Sequence, residues 1–342
     1  MKVNRLLADR SLWIGCAMIW IVWYHLGSGI MPYPLSILGE AGYGGVDICI
    51  FASGIGCFYS LARTEDNLDF FKRRFVRIMP TYFCFMLFWL SFKMCTYPLD
   101  LPDFLGNLLG IQAFTERGAY FNWYISLIIL LYGLSPLFFR LVKAVKKPEG
   151  HLLVVLALLL LSVAFWDTMA LIIIFARFPM FYIGMLFAKF ASADGSLSRR
   201  MNAWLIAAAL IGAACLALAF VFCKPYLWPR GLHWYPFILI TPGLCLVISA
   251  VAMLLRKCVA GRVIIKGLEK IADYSFELYL THIFVIDAAA YFAFRFGLPL
   301  DTIAMRGSVL AISIAATVAL RYFTRFAVKC VTGLVRRAVP AT

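Results

Sequence analysis

The chain has 342 residues, of which 63% are hydrophobic and only 14% charged, and its mean hydropathy is +0.89. A soluble domain carries roughly 25% charged residues, so a soluble fold is excluded and an all-α, polytopic membrane helix bundle is expected. The net charge of +15 does not require nucleic acid as a partner, because the placement of Lys and Arg explains it otherwise.

Crossing a bilayer takes about 20 apolar residues. Ten spans are expected, at 11–29, 43–62, 78–97, 121–141, 151–167, 170–189, 202–222, 235–255, 274–294 and 303–326. The first run is too long for a cleaved signal segment and lacks a small-residue cleavage site. The fifth is short. Between the third and fourth, residues 101–115 are apolar but carry Pro102 and Asp103, and read as an interfacial or re-entrant helix. The N-terminus, the alternate loops and the C-terminus hold 25 of the 32 Lys and Arg. The positive-inside rule makes that face cytoplasmic, with both termini inside and an even number of spans. The expected location is the cytoplasmic (inner) membrane. A single unit over 1–342 is expected, with no fused soluble domain.

Arg10, Ile14, Met18, Ile21 and His25 follow the 4-4-3-4 spacing of one helical face in the first span. An ionisable group inside a span is costly and points to function. The next span opens GYGGVDICIFASGIG. Its glycines allow close helix approach, and Asp47 needs a partner, for which His25 is the nearest candidate in sequence. A carboxylate that orients an imidazole is a catalytic arrangement; it is equally a structural one that ties two helices. After this span comes FKRRFVRIMPTYF. Arg73, Arg74 and Arg77 either anchor the cytoplasmic face or bind phosphates, to which guanidinium forks are suited. Ser275, Tyr279 and His282 share a face at 4-3 spacing, either lining a cavity or bonding a neighbouring helix. Arg177, a cation inside the sixth span, must have a partner or water. His151 and His233 are read as loop residues and are expected to be solvated. The ten Cys form no CxxC pair, and Cys16, Cys49, Cys84 and Cys245 sit in apolar runs as small hydrophobes. No cluster has metal-ligand spacing.

Four segments together resemble the acyltransferase-3 family of integral membrane acyltransferases. GYGGVDICIFASG is similar to its GxxGVDxFFxLSG segment and FKRRFVRIMPTY to its RRxxRIxPxY. NWYISLIILLYGLSP stands where the family has WSLSVExxFYLLxP, with Trp123, Ser126, Tyr132 and Pro136 in register, and YSFELYLTH is similar to SYSxYLxH. His25 falls where the family's first-span His falls. Two positions depart: Ile14 replaces a common Arg, and Ile128 replaces the Glu of the fourth-span segment. Arg10, one turn earlier, is the expected substitute for the first, and Asn122, Tyr124 and Ser126 for the second. Tyr24 and Trp123 complete the candidate cavity set with Ser275, Tyr279 and His282.

The resemblance implies transfer of an acyl group, most often acetyl, from a cytoplasmic coenzyme A thioester to a hydroxyl of a cell-surface or lipid-linked saccharide. Acyl-CoA is then a co-substrate, and no permanently bound cofactor is implied. His25 would be the general base with Asp47 holding it, or an acyl-His would form; Arg73, Arg74 and Arg77 would bind the coenzyme. Expected partners are the lipid bilayer, acyl-CoA, the saccharide and, if transfer is not direct, a separate extracytoplasmic transferase or glycan-assembly protein. The competing class is a transporter or flippase of an anionic or lipid-linked sugar.

Overall fold

The computed structural model describes residues 7–27, 32, 35–64, 66–96, 99–115, 122–194, 197–223, 226, 230–299 and 302–338. These residues are mostly helical, with no strand among them. Lys2 and Arg5, and residues 28–29, 97 and 121 of the expected spans, lie outside them.

The helices are α1 (Arg10–Gly27), α2 (Leu35–Glu40), α3 (Gly45–Ala62), α4 (Asn67–Thr96), α5 (Leu101–Leu108), α6 (Trp123–Ala144) and α7 (Pro148–Val163). They continue as α8 (Met169–Phe175), α9 (Phe178–Asp194), α10 (Arg199–Phe222), α11 (Phe237–Leu255), α12 (Val259–Asp273), α13 (Ser275–Phe296) and α14 (Ile303–Ala338). Among the described residues, eight helical stretches are long and apolar enough to cross a membrane. They coincide with eight of the ten expected spans. The other two are α1, whose 18 residues include Arg10 and His25, and α7, which has 16.

Local chemistry explains where the elements differ from the sequence expectation. The basic segment FKRRFVR is no loop: it lies within the 30-residue α4, and Pro80 sits inside that helix. The sixth span is broken at Ala176–Arg177 into α8 and α9. Residues 259–273, expected as a loop, form the amphipathic helix α12. The 101–115 segment is the short helix α5 followed by a 3-10 turn at Gln112–Phe114, and Asp100 caps it by accepting from the Asp103 N–H at 2.8 Å.

In lipid, helices gain little from mutual hydrophobicity and associate through close backbone approach. The α3–α9 pair is the most extensive contact and shows this directly. A Cβ on Gly54 would strike the Phe181 carbonyl, and one on Gly184 would strike that of Phe51. α3 also lies on α1, with Gly45 against Ala17 and Ile21 and Gly42 against Trp20 and Tyr24. α12 is seated on Gly15 of α1. Polar ties close the basic end of the bundle. Arg256 bonds the buried Asp9 at 2.6 Å, and Lys189 caps α6 by donating to the Val142 and Val145 carbonyls at 2.7 and 2.9 Å. His151 is buried, not solvated, and bonds Tyr182 at 2.7 Å.

Candidate functional site

A cavity of about 110 Å³ lies between α1, α3, α4, α6 and α13. Its α1 wall is Arg10, Ile14, Met18 and Ile21, the face that the 4-4-3-4 spacing defines. α3 contributes its small side, Cys49, Ala52, Ser53 and Gly56. α4 brings Arg74 and Arg77; α6 brings Tyr124, Ile128 and Tyr132; α13 brings Ser275 and Tyr279. Both departures from the family pattern, Ile14 and Ile128, therefore sit in the cavity wall and make it apolar there.

Three guanidinium groups gather at the basic end. Arg74 is fixed by donating to the Gly56 carbonyl at 2.9 Å and by the rings of Phe70 and Tyr132, at 5.2 and 5.3 Å. Arg10 closes on Gly56 from α1. Arg73 is separate: it forms an exposed i, i+4 ion pair with Asp69 and does not line the cavity. The ion pair with Asp69 accounts for this split, because at about 100° per residue Arg77 lies within roughly 60° of both Arg73 and Arg74.

At the inner end the cavity wall passes into a series of rings. Tyr124 meets Tyr279 at 4.8 Å between centroids, Tyr279 meets His282 at 6.1 Å, and His282 meets His25 at 5.4 Å. Tyr24 packs edge-on against His25 at 4.8 Å. His282 is fully buried. Its Nδ1 is 2.7 Å from the Leu278 carbonyl. A carbonyl only accepts, so Nδ1 carries the proton, and in the neutral ring Nε2 keeps its lone pair. That Nε2 is buried without a hydrogen-bond partner. His25, in contrast, is exposed at the end of α1.

The expected contact between His25 and Asp47 is not made: no hydrogen bond or ion pair joins them. Asp47, Phe51 and Gly54 form a 4-3 stripe on α3, and that stripe faces α9, whereas Gly45 and Cys49 face α1 and the cavity. Asp47 is buried, its Oδ2 has no hydrogen-bond partner, and the charge that acts on it is that of Arg177. Arg177 is itself buried at the α8–α9 break. It donates to the Ile173 carbonyl at 2.8 Å and lies between the rings of Trp123, at 5.1 Å, and Trp234, at 4.6 Å. Trp123 is thereby a partner of Arg177, away from the cavity. His233, expected to be solvated, is buried beside Tyr43, whose hydroxyl donates to its carbonyl at 3.2 Å. The stripe on α3 was the signal for Asp47; the electrostatic influence of Arg177 on it, far along the chain, had none.

Asn122 and Ser126 also serve the scaffold. Asn122 donates to Asn107 Oδ1 at 3.0 Å, and Ser126 donates to the Gly110 carbonyl at 2.6 Å. Gly110, at φ +69°, makes the turn that ends the α5 segment. Tyr82 completes the seat by donating to the Asn107 carbonyl. Of the four polar candidates near the start of α6, only Tyr124 reaches the cavity.

A family model described as an acyltransferase domain matches residues 15–322. No curated protein and no solved structure matches the chain.

Proposed function

Because the chain belongs to the acyltransferase-3 family, and is therefore a multi-pass membrane acyltransferase, we propose that it moves an acetyl group from a cytoplasmic coenzyme A thioester to a hydroxyl of a saccharide. The observation that supports this most is the cavity, with Arg10, Arg74, Arg77, Tyr124 and Tyr279 in its wall and the rings of His282 and His25 following Tyr279 beyond it. Guanidinium groups suit the anionic phosphates of the donor, and a small apolar-walled cavity suits its acyl-bearing arm.

In this reading His25 accepts the proton of the acceptor hydroxyl as the oxygen attacks the thioester carbonyl. The tetrahedral intermediate collapses, the C–S bond breaks, and the proton passes to the departing thiolate, leaving an ester and free coenzyme A. His282, with its tautomer held by Leu278, offers Nε2 as the acceptor that orients His25 or shares its proton. A positioned base is worth roughly 10²–10⁴-fold. Asp47 acts at a distance, from the stripe of α3 that packs on α9.

The reading is tested by incubating the purified protein in nanodiscs with acetyl-labelled acetyl-coenzyme A. Release of free thiol, with label passing to an added saccharide mixture, is the expected result. Intact thioester at every donor concentration would contradict it.

A further inference from the structure

The helix α12 belongs to none of the spans and lines no part of the cavity. Its 15 residues rise about 22 Å, short of a hydrocarbon core of about 30 Å. It joins the end of α11 to the start of α13, at the end of the bundle where the basic residues gather. The positive-inside rule puts that end in the cytoplasm.

The sequence VAGRVIIKGLEKIAD divides round this helix into three sides. Ile265 and Leu268 turn inward and cluster with Leu12 and Cys16 of α1, and the Leu268 carbonyl rests on Gly15. Arg262, Lys266 and Lys270, at i, i+4 and i+8, form one exposed row. Val259, Val263 and Ile264 stand beside that row, 69, 65 and 52% exposed. Cations next to an open apolar row are the pattern of a helix that lies in the membrane interface, its apolar side among the acyl chains and its cations at the headgroups.

Charge selects the headgroups. Of the two acidic residues on α12, Glu269 lies 4.0 Å from Arg256, which is itself held by Asp9, and Asp273 closes the helix. Among the described residues no carboxylate pairs with Arg262, Lys266 or Lys270. Arg262 makes a long bond to the Arg256 carbonyl, at 3.4 Å, and the Lys270 Nζ lies 5.3 Å from the Tyr274 ring. The row is a cationic surface that an anionic leaflet complements.

This surface is tied to the cavity. α1 presents Arg10, Ile14, Met18 and Ile21 to the cavity and Leu12, Gly15 and Cys16 to α12. α12 therefore backs the α1 wall, and Arg256 pins the start of α1 through Asp9. We propose that α12 binds the anionic phospholipid headgroups of the cytoplasmic leaflet through Arg262, Lys266 and Lys270, and that this contact seats α1 and raises turnover. The effect on turnover rests on the transfer reading above, whereas the lipid contact stands without it.

The test uses the full chain in phosphatidylcholine nanodiscs, with or without phosphatidylglycerol. A limiting amount of phosphatidylglycerol with a diazirine near its headgroup should label peptides of 259–273. Unlabelled phosphatidylglycerol should compete, and phosphatidylcholine should not. Each surface cation is worth roughly fivefold in affinity. Arg262→Gln, Lys266→Gln and Lys270→Gln together should then cut labelling by about 10²-fold, and high salt should weaken it in the wild-type protein. The kcat, read at saturating acetyl-coenzyme A so that repulsion between donor and lipid drops out, should rise severalfold with phosphatidylglycerol. The triple variant should keep the wild-type kcat in phosphatidylcholine and lose the rise. Labelling unchanged by the triple variant or by salt, equal competition by phosphatidylcholine, cross-links between two copies of the chain through α12, or a kcat indifferent to phosphatidylglycerol would each overturn the proposal. Failure of the transfer reading shows separately, as a wild-type protein that is labelled at α12 but leaves acetyl-coenzyme A intact in both lipids.

Discussion

The imidazole rings of His25 and His282 lie 5.4 Å apart between centroids, brought together from opposite ends of the chain. One ring is exposed and the other fully buried. The buried ring has its tautomer set by a backbone carbonyl. An exposed base backed by a tautomer-locked neighbour is an arrangement for moving a proton, whereas two histidines that merely fill space need no such lock.

This predicts an unequal response to two substitutions at the buried ring. In His282→Asn the amide nitrogen replaces Nδ1 and still donates to Leu278, but the Nε2 lone pair is gone. Turnover per folded protein should fall roughly 10²-fold, with the donor KM and thermal stability near wild type. His282→Leu, which also removes the bond to Leu278, should lose stability as well as turnover. Wild-type kcat in the Asn variant would reduce His282 to a helix tie.

The arginines should also divide. Arg77→Ala and Arg74→Ala each remove a charged hydrogen-bond donor from the cavity, worth roughly 1.5–3 kcal/mol, so the donor KM should rise by one to two decades. Arg73→Ala removes only an exposed pair with Asp69, worth at most about 1 kcal/mol, and should leave the KM unchanged. Equal effects at all three positions would favour a diffuse basic surface over a built donor site.

Asp47 should behave as a partner of Arg177. Asp47 and Arg177 are both buried and make no direct ion pair, yet the guanidinium acts electrostatically on the carboxylate, so neutralising Asp47 leaves the buried Arg177 less compensated. Asp47→Asn should therefore lower the melting temperature modestly, and Asp47→Asn combined with Arg177→Met should recover part of the loss. The protein that stays folded should keep most of its specific activity. Normal stability with lost activity would return Asp47 to the chemistry.

Packing gives a sharper contrast. Gly184→Leu drives a side chain into the Phe51 carbonyl of α3 and should prevent folding. Gly267→Ala meets nothing within 4 Å and should stabilise α12 by up to about 1 kcal/mol. Recovery of folded Gly184→Leu at wild-type levels would contradict the α3–α9 register.

Much of this was legible in the sequence, for local reasons. Hydropathy marks each span by itself, and a 4-4-3-4 spacing defines a face whatever it meets, so the Arg10–Ile21 wall was readable. The pairing of faces was not. Asp47 and His25 are neighbours in sequence, yet Asp47 stands on the stripe turned to α9, and only the packed bundle shows that Arg177 waits there. Asn122 and Ser126 carried the family register, but hydrogen-bond partners in a re-entrant segment cannot be read from hydropathy.

The most direct test of the account is the activity of His25→Ala per folded protein, measured as thiol release from acetyl-coenzyme A in the presence of acceptor. Because His25 is exposed at a helix end and makes no hydrogen bond that holds the bundle together, the variant should insert and melt like wild type while turnover falls by roughly 10²–10⁴-fold. Near wild-type turnover in the folded His25→Ala protein would contradict the assignment of His25 as the base.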